Sequence, residues 1–284
     1  MAQGSNARRF GRGAAVWFAL AAWAAIGLAA PVARADESEK SWRELREALF
    51  GSRPIGDGGA MLKLDAPARA DDPALVPVEI TDLQLALGAN RIKALTLIVD
   101  ENPAPVAAVI TVSPHARVTA LETRIRVNAY SYIRLIAETE DGALHMVKRY
   151  IKATGGCAAP ASKNADAAMA SLGEMRLRQY PPEGEVSDIQ LQIRHPNFSG
   201  LQMDQLTGLY RAAHYVNSIR ISADSKPIVS VEGAISLSEN PVLRVRYRAS
   251  DAKTLTAHVE DTEGNVFEKS WDIAVATGGG PALR

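Results

Sequence analysis

From Val76 to Ile151 the apolar and polar positions fall into short runs rich in Val, Ile, Thr and Tyr, the composition of half-buried extended strands. The pattern predicts strands over Val76–Ile80, Ile92–Val99, Val106–Val112, Arg117–Val127, Tyr132–Glu138 and Leu144–Ile151, with Asn102-Pro103 and Asp141-Gly142 as turns. A second series follows at Ile189–Ile193, Val216–Ser222, Ile228–Val231, Leu243–Tyr247, Leu255–Val259 and Val266–Ile273, with Asn240-Pro241 and Glu263-Gly264 as turns. Leu243-Arg244-Val245-Arg246-Tyr247-Arg248 alternates strictly and sets an apolar face against an arginine face. That arginine face is solvated in the simplest reading, and an acidic partner is the other. Strands about every ten residues without long helices between them point to β-sandwiches. The expected fold is all-β: two β-sandwich domains joined by a flexible linker.

Only one helix is predicted, ahead of the first series. Trp42, Leu45 and Leu49 recur at helical spacing, Ser41 and Glu44 resemble a capping box, and Gly51 stops the run. Residues 51–74 read as loop, with one short strand at Met61–Leu64.

The chain opens with a segment to be set aside before folding is considered. Arg8, Arg9 and Arg12 precede an apolar stretch from Ala14 to Ala30, and Ala33-Arg34-Ala35 offers small residues for cleavage before Asp36. Residues 1–35 therefore read as an export signal, by the general or the twin-arginine route, and the expected location is the periplasm. The expected division is then a sandwich over 36–153, an arm and linker over 154–184, a second sandwich over 185–276 and a tail over 277–284.

Composition excludes several classes. Hydrophobic residues at 47% and charged residues at 23% describe a globular chain. A formal net charge of zero leaves no global field for nucleic acid or anionic lipid. Without the arginines at 8, 9, 12 and 34 the mature chain carries 28 basic against 32 acidic residues, a net charge of −4. The histidines at 115, 145, 195, 214 and 258 form no HExxH pattern, and no CxxC exists, so no metal site is expected. No nucleophile elbow, phosphate loop or dinucleotide fingerprint occurs, and no catalytic residue or cofactor is assigned.

A single cysteine changes the picture. An exported chain normally pairs its cysteines, and Cys157 has no partner. It lies between Gly155-Gly156 and Ala158-Ala159, a run of the smallest side chains that reads as a thin arm with Gly155 and Gly156 as hinge. Lys148, Arg149 and Lys152 lie upstream and are expected to favour the thiolate. The thiol is a covalent attachment point in one reading and an incidental linker residue in the other.

These residues resemble a fusion of the two subunits of the SoxYZ sulfur carrier, in the variety associated with quinoprotein dehydrogenases. The first half resembles SoxY in the helix around Trp42–Phe50, Val76-Pro77-Val78, Asn102-Pro103-Ala104-Pro105 and the closing Gly155-Gly156-Cys157. The second resembles SoxZ in His195-Pro196-Asn197-Phe198-Ser199-Gly200, Ala213-His214-Tyr215-Val216, Ser238-Glu239-Asn240-Pro241 and Asp261-Thr262-Glu263-Gly264. The resemblance implies paired immunoglobulin-like sandwiches and a cysteine that holds thiosulfate-derived intermediates for periplasmic sulfur-oxidation enzymes or cytochromes. It departs from the family in an arm that is internal and whose second glycine pair is replaced by Ala158-Ala159-Pro160.

Three functions stand open at this point. One is a covalent carrier of a sulfur-containing intermediate on Cys157. The second is a non-covalent accessory module of a PQQ-dependent alcohol (methanol) dehydrogenase. The third, a cysteine-dependent enzyme, needs a histidine beside Cys157 in the fold.

Overall fold

The structure, a computed structural model, describes residues 37–83, 90–160, 165–183, 185–204, 207–248 and 252–273. The export segment 1–35 and the tail 277–284 lie outside the described residues. Helix α1 (residues 37–50) precedes eight strands: β1 (Ile55–Asp57), β2 (Lys63–Asp65), β3 (Val76–Thr81), β4 (Ile92–Val99), β5 (Val106–Val112), β6 (Arg117–Ile125), β7 (Ser131–Thr139) and β8 (Leu144–Ile151). Helix α2 (Ala165–Ala170) leads to β9 (Met175–Glu183), β10 (Val186–Ile193), β11 (Val216–Ala223), β12 (Lys226–Gly233), β13 (Val242–Arg248), β14 (Thr254–Asp261) and β15 (Val266–Asp272).

The strands form two layers, and each layer runs through both halves of the chain. One sheet has the order β1-β8-β7-β4-β5-β12-β11-β14-β15, the other β2-β3-β6-β13-β10-β9. The halves meet where β12 pairs antiparallel with β5, Val231 opposite Ile110, and where β13 pairs antiparallel with β6, Val245 opposite Leu121. A single apolar core fills the space between the sheets, from Leu95, Val118 and Ile133 in the first half to Leu191, Ile221 and Val245 in the second. The two sandwiches are therefore joined strand to strand, and the linker is not what holds them.

Two stretches read as loop or linker are strands at sheet edges. β1 is three residues long and pairs parallel with β8, and β9 occupies part of the expected linker. β9 pairs with β10 alone, and an edge with one free side accommodates Pro181 and Pro182, which a central strand would not. Helix α1 is already formed at residue 37, four residues before the expected cap. Ser41 is thus inside it and donates back to the carbonyl of Glu37 at 3.3 Å instead of capping the first turn. Gly51 ends the helix at φ +58°, its amide donating to Glu47.

Helix α1 is fastened to the first sheet by apolar packing and buried charge. Trp42 lies among Ile98, Ile136 and Leu144. Beneath it the fully buried Arg134 guanidinium stacks 4.6 Å from the Trp42 ring, binds both oxygens of Asp100 and reaches Glu39 of the helix. The Ser38 hydroxyl donates to Asp100 at 2.9 Å. Burial pushes the Asp100 carboxyl up against the opposing pull of Arg134.

Candidate functional site

Cys157 lies on the turn that follows β8, and the turn is folded into the molecule. Gly155 turns at φ +81°, and its amide donates to Asn128; the Gly156 amide donates to Val127 at 3.0 Å. A Cβ on Gly156 would lie 2.0 Å from the carbonyl oxygen of Pro73 and 2.7 Å from that of Val127, so only glycine lets the backbone come this close. The Ala158 amide closes the turn on Gly155 at 3.2 Å.

Side chains from both halves then grip the turn by its carbonyls. Arg126, at the end of β6, donates from Nη1 to Gly156 at 3.2 Å and from Nη2 to Asn197 at 3.3 Å. From the loop between β10 and β11, Ser199 donates to the Cys157 carbonyl at 2.5 Å and Gln202 to that of Ala159 at 2.9 Å. Cys157 is completely buried, a free thiol in the seam between the halves.

This differs from the exposed arm expected from sequence, and the charges around the thiol differ too. Burial pushes the thiol up to about 11, and the Arg126 guanidinium offsets only part of that. Lys148 pairs with Glu39 and Arg149 with Asp65, so these cations are engaged on the surface of the first sheet. Ala158 is exposed and Gly155 is exposed, so the turn is buried only at its centre. Nothing in the sequence singles out Arg126, which sits at the end of an ordinary strand and acquires its role from carbonyls remote in the chain.

The gripping loop is itself held by a buried cluster. His195 and His214 direct Nε2 to the same oxygen of Asp261, at 3.4 and 2.8 Å, and their rings meet edge to face at 4.7 Å. Both are buried hydrogen-bonding residues. Two imidazoles and a carboxylate so close have the composition of a cation site. The Asn197 amide, however, donates to Nδ1 of His195 at 3.0 Å. That ring nitrogen is therefore the acceptor, Nε2 keeps its proton, and the proton occupies the lone pair a metal would need.

The titration behaviour of the cluster follows its burial and bonding. Burial and the neighbouring His214 hold His195 down at about 4, neutral, against the pull of Asp261. Burial alone would raise Asp261, yet hydrogen bonds from Asn265, His214 and the backbone hold it at about 2. Both imidazole Nε2 atoms are committed to Asp261, and neither histidine is hydrogen-bonded to Cys157.

The arginine face of β13 is ion-paired within the chain. Arg244 forms a two-point contact with Asp188 at 2.8 and 2.6 Å and also reaches Glu122; Arg246 binds Glu79 and Glu122. The strand's alternation is observed, and its cations are matched by carboxylates on neighbouring strands.

Comparison with known proteins divides the chain at the same place as the arm. The family model described as "Sulfur oxidation protein SoxY" matches residues 46–157 and ends on Cys157, and that described as "Sulphur oxidation protein SoxZ" matches residues 175–272. No curated protein matches the chain. Among solved structures, the sulfur carrier protein SoxY from Chlorobium limicola f thiosulfatophilum is 22% identical, with 41% of this chain and 94% of that chain covered and a TM-score of 0.33. A beta-glycosidase from Bacteroides vulgatus is 11% identical, with 75% of this chain and 24% of that chain covered and a TM-score of 0.23.

Proposed function

Since the chain belongs to the SoxY and SoxZ families, joined in tandem as a fused SoxYZ-like protein, we propose that it is a sulfur carrier that holds its cargo covalently on Cys157. The observation that carries this reading is the position of Cys157. The only cysteine of the chain is the last residue of the SoxY match and sits on a glycine turn gripped by the SoxZ half. The families are carriers rather than enzymes, and Cys157 is accordingly given an attachment role and no catalytic one.

In this reading the conformation described is the closed one. A thiol with its proton held to about pH 11 is a poor nucleophile, so loading requires the turn to leave its seat. Gly155 and Gly156 are the hinge, and the carbonyl contacts of Ser199, Gln202 and Arg126 are what must be released. The partners are sulfur-oxidation enzymes or cytochromes that meet the opened turn. The periplasm is the proposed location, supported by the signal-like residues 1–35. Among the described residues no helix is long and apolar enough to cross a membrane.

The test is intact-mass spectrometry of protein taken from its native compartment without reductant, repeated after reduction. A reducible mass increase that maps to Cys157, and is absent from Cys157→Ser, is the expected result, and its size gives the cargo. An unmodified thiol in every preparation would overturn the carrier reading and leave the accessory module of a PQQ-dependent dehydrogenase as the alternative.

A further inference from the structure

Among the described residues the two sheets end in four edge strands, and three of these are blunted against further pairing. β1 and β2 are three residues long, and β9 carries Pro181 and Pro182. β15 has no such protection. It runs for seven residues without a proline, and its register with β14 is unbroken from Val266 to Asp272.

The alternation of an antiparallel ladder fixes which backbone groups of β15 face outward. The Asn265 carbonyl accepts from Asp261 at 3.1 Å, and the Ile273 amide donates to Lys253 at 2.8 Å, so the odd-numbered residues bond to β14. The N–H and C=O groups of Val266, Glu268, Ser270 and Asp272 therefore point to the free edge. Of these, the Asp272 carbonyl accepts from the Gln179 side chain at 3.2 Å. On one face of the strand Phe267 and Trp271 pack against the core, and Lys269 donates to the Met175 carbonyl at 3.1 Å. On the other face Glu268 pairs with His258.

We propose that β15 pairs antiparallel with β15 of a second copy of this chain, with Lys269 at the two-fold axis. In that register Phe267 stands opposite Trp271 of the second copy, Glu268 opposite Ser270 and Val266 opposite Asp272, each pair occurring twice. Like charges directly opposite destabilise a ladder. Moving the axis to Glu268 would oppose two carboxylates, and moving it to Ser270 would oppose Glu268 to Asp272 twice. Lys269 meets its own copy, but its ammonium is held by the Met175 carbonyl of the other sheet. The chain already uses this mode of joining, since β5 and β12 connect its halves edge to edge through five antiparallel pairs. An isologous contact consumes the edge on both copies, so assembly stops at two. β11 and β14 separate β15 from the seam at β12, which leaves both cysteine turns clear of the contact. The inference is independent of the carrier reading.

Sedimentation equilibrium of the full chain, with reductant present so that Cys157 links nothing, tests this against Ser270→Pro. The Ser270 amide faces outward, so proline removes a donor from the free edge and spares the ladder to β14. The wild type is expected to rise with concentration to twice the mass of one chain, and Ser270→Pro to stay at one. Should that variant fold poorly, cysteines at the axis decide. Residues opposed at a non-hydrogen-bonded antiparallel position have Cα atoms about 4.5 Å apart, within reach of a disulfide. Lys269→Cys in a Cys157→Ser background, with glutathione disulfide as oxidant, is expected to link two copies, and Glu268→Cys in the same background is not. A wild type that stays monomeric, a dimer unaffected by Ser270→Pro, or linkage at 268 without linkage at 269 would overturn the proposal.

Discussion

The hydroxyl of Ser199 donates to the backbone carbonyl of Cys157 at 2.5 Å, and the two residues come from different halves of the chain. The contact is to backbone, so it fixes the turn without engaging the sulfur. Ser199→Ala should therefore loosen the turn and leave the thiol chemically intact. One buried hydrogen bond contributes about 1 kcal/mol, which corresponds to an increase of about fivefold in alkylation of Cys157 by iodoacetamide. Adding Gln202→Ala should increase it further. An unchanged rate in the double variant would mean that these bonds do not control access.

Gly155 and Gly156 should respond differently to substitution. Gly156→Ala places a methyl group 2.0 Å from the Pro73 oxygen, so the turn must leave its seat, at a cost of about 1–3 kcal/mol. Gly155→Ala meets nothing within 4 Å and bears only its φ of +81°, about 1–2 kcal/mol. Thermal melting with alkylation rates separates them: Gly156→Ala should expose Cys157 much more than Gly155→Ala. Similar exposure in both would show that contact with Pro73 is not what seats the turn.

Alkaline pH should weaken the fold through Cys157. The thiol's folded value, about 11, is above its ordinary 9.0, so its contribution is fully present below 9.0 and is lost as pH rises through about 11. Urea midpoints of wild type and Cys157→Ser should therefore converge or cross over that range. Parallel curves would indicate that the thiol titrates normally.

Acid should act through the cluster behind the gripping loop. His195 is held from its ordinary 6.5 down to about 4, and its contribution is present above 6.5 and lost as pH falls through 4. Asp261, lowered from 3.8 to about 2, extends the loss below that window. The urea midpoint should fall between pH 6.5 and 4 in wild type and fall less in His195→Asn. Equal slopes in the two proteins would remove His195 from the account.

The buried arginine beneath helix α1 sets a stability test. Asp100→Ala leaves the Arg134 guanidinium without its main carboxylate, a change that costs about 3–5 kcal/mol where a buried pair is broken. Equilibrium urea unfolding reads this directly. A loss under 1 kcal/mol would mean that Glu39 alone suffices.

Local patterning was legible to the residue at β4, β5 and β8, where branched apolar runs are bounded by clear turns. Two edge strands, β1 and β9, were not. β1 is too short to show a period, and β9 carries Arg176, Arg178 and two prolines that belong to an open edge. The turn at Asp224-Ser225 takes φ of +44° and +65° without the Asn-Gly signature that announces such a hairpin. Sheet continuity across the halves could not be read, because β5 and β12 are paired by tertiary packing and no local signal records it.

At the site, Cys157 stood out by its solitude, but its surroundings were misread in a consistent way. Small neighbours suggested a slender exposed arm, whereas their smallness serves close approach to Pro73 and Val127. The upstream cations seemed relevant because they are near in sequence. Arg126 is the one coupled to the thiol, and its nearness exists only in the fold.

The continuity of both sheets gives the peptide between Pro160 and Ala165 an unexpected status. Five residue pairs join β5 to β12 and five join β6 to β13, above a common core. A protease cut in that segment would leave two polypeptides still zipped together along both seams, behaving as a heterodimer. What the covalent connection secures is stoichiometry: each SoxY half is made with its own SoxZ half, and no exchange of subunits can separate Cys157 from Ser199 and Gln202, which hold its turn.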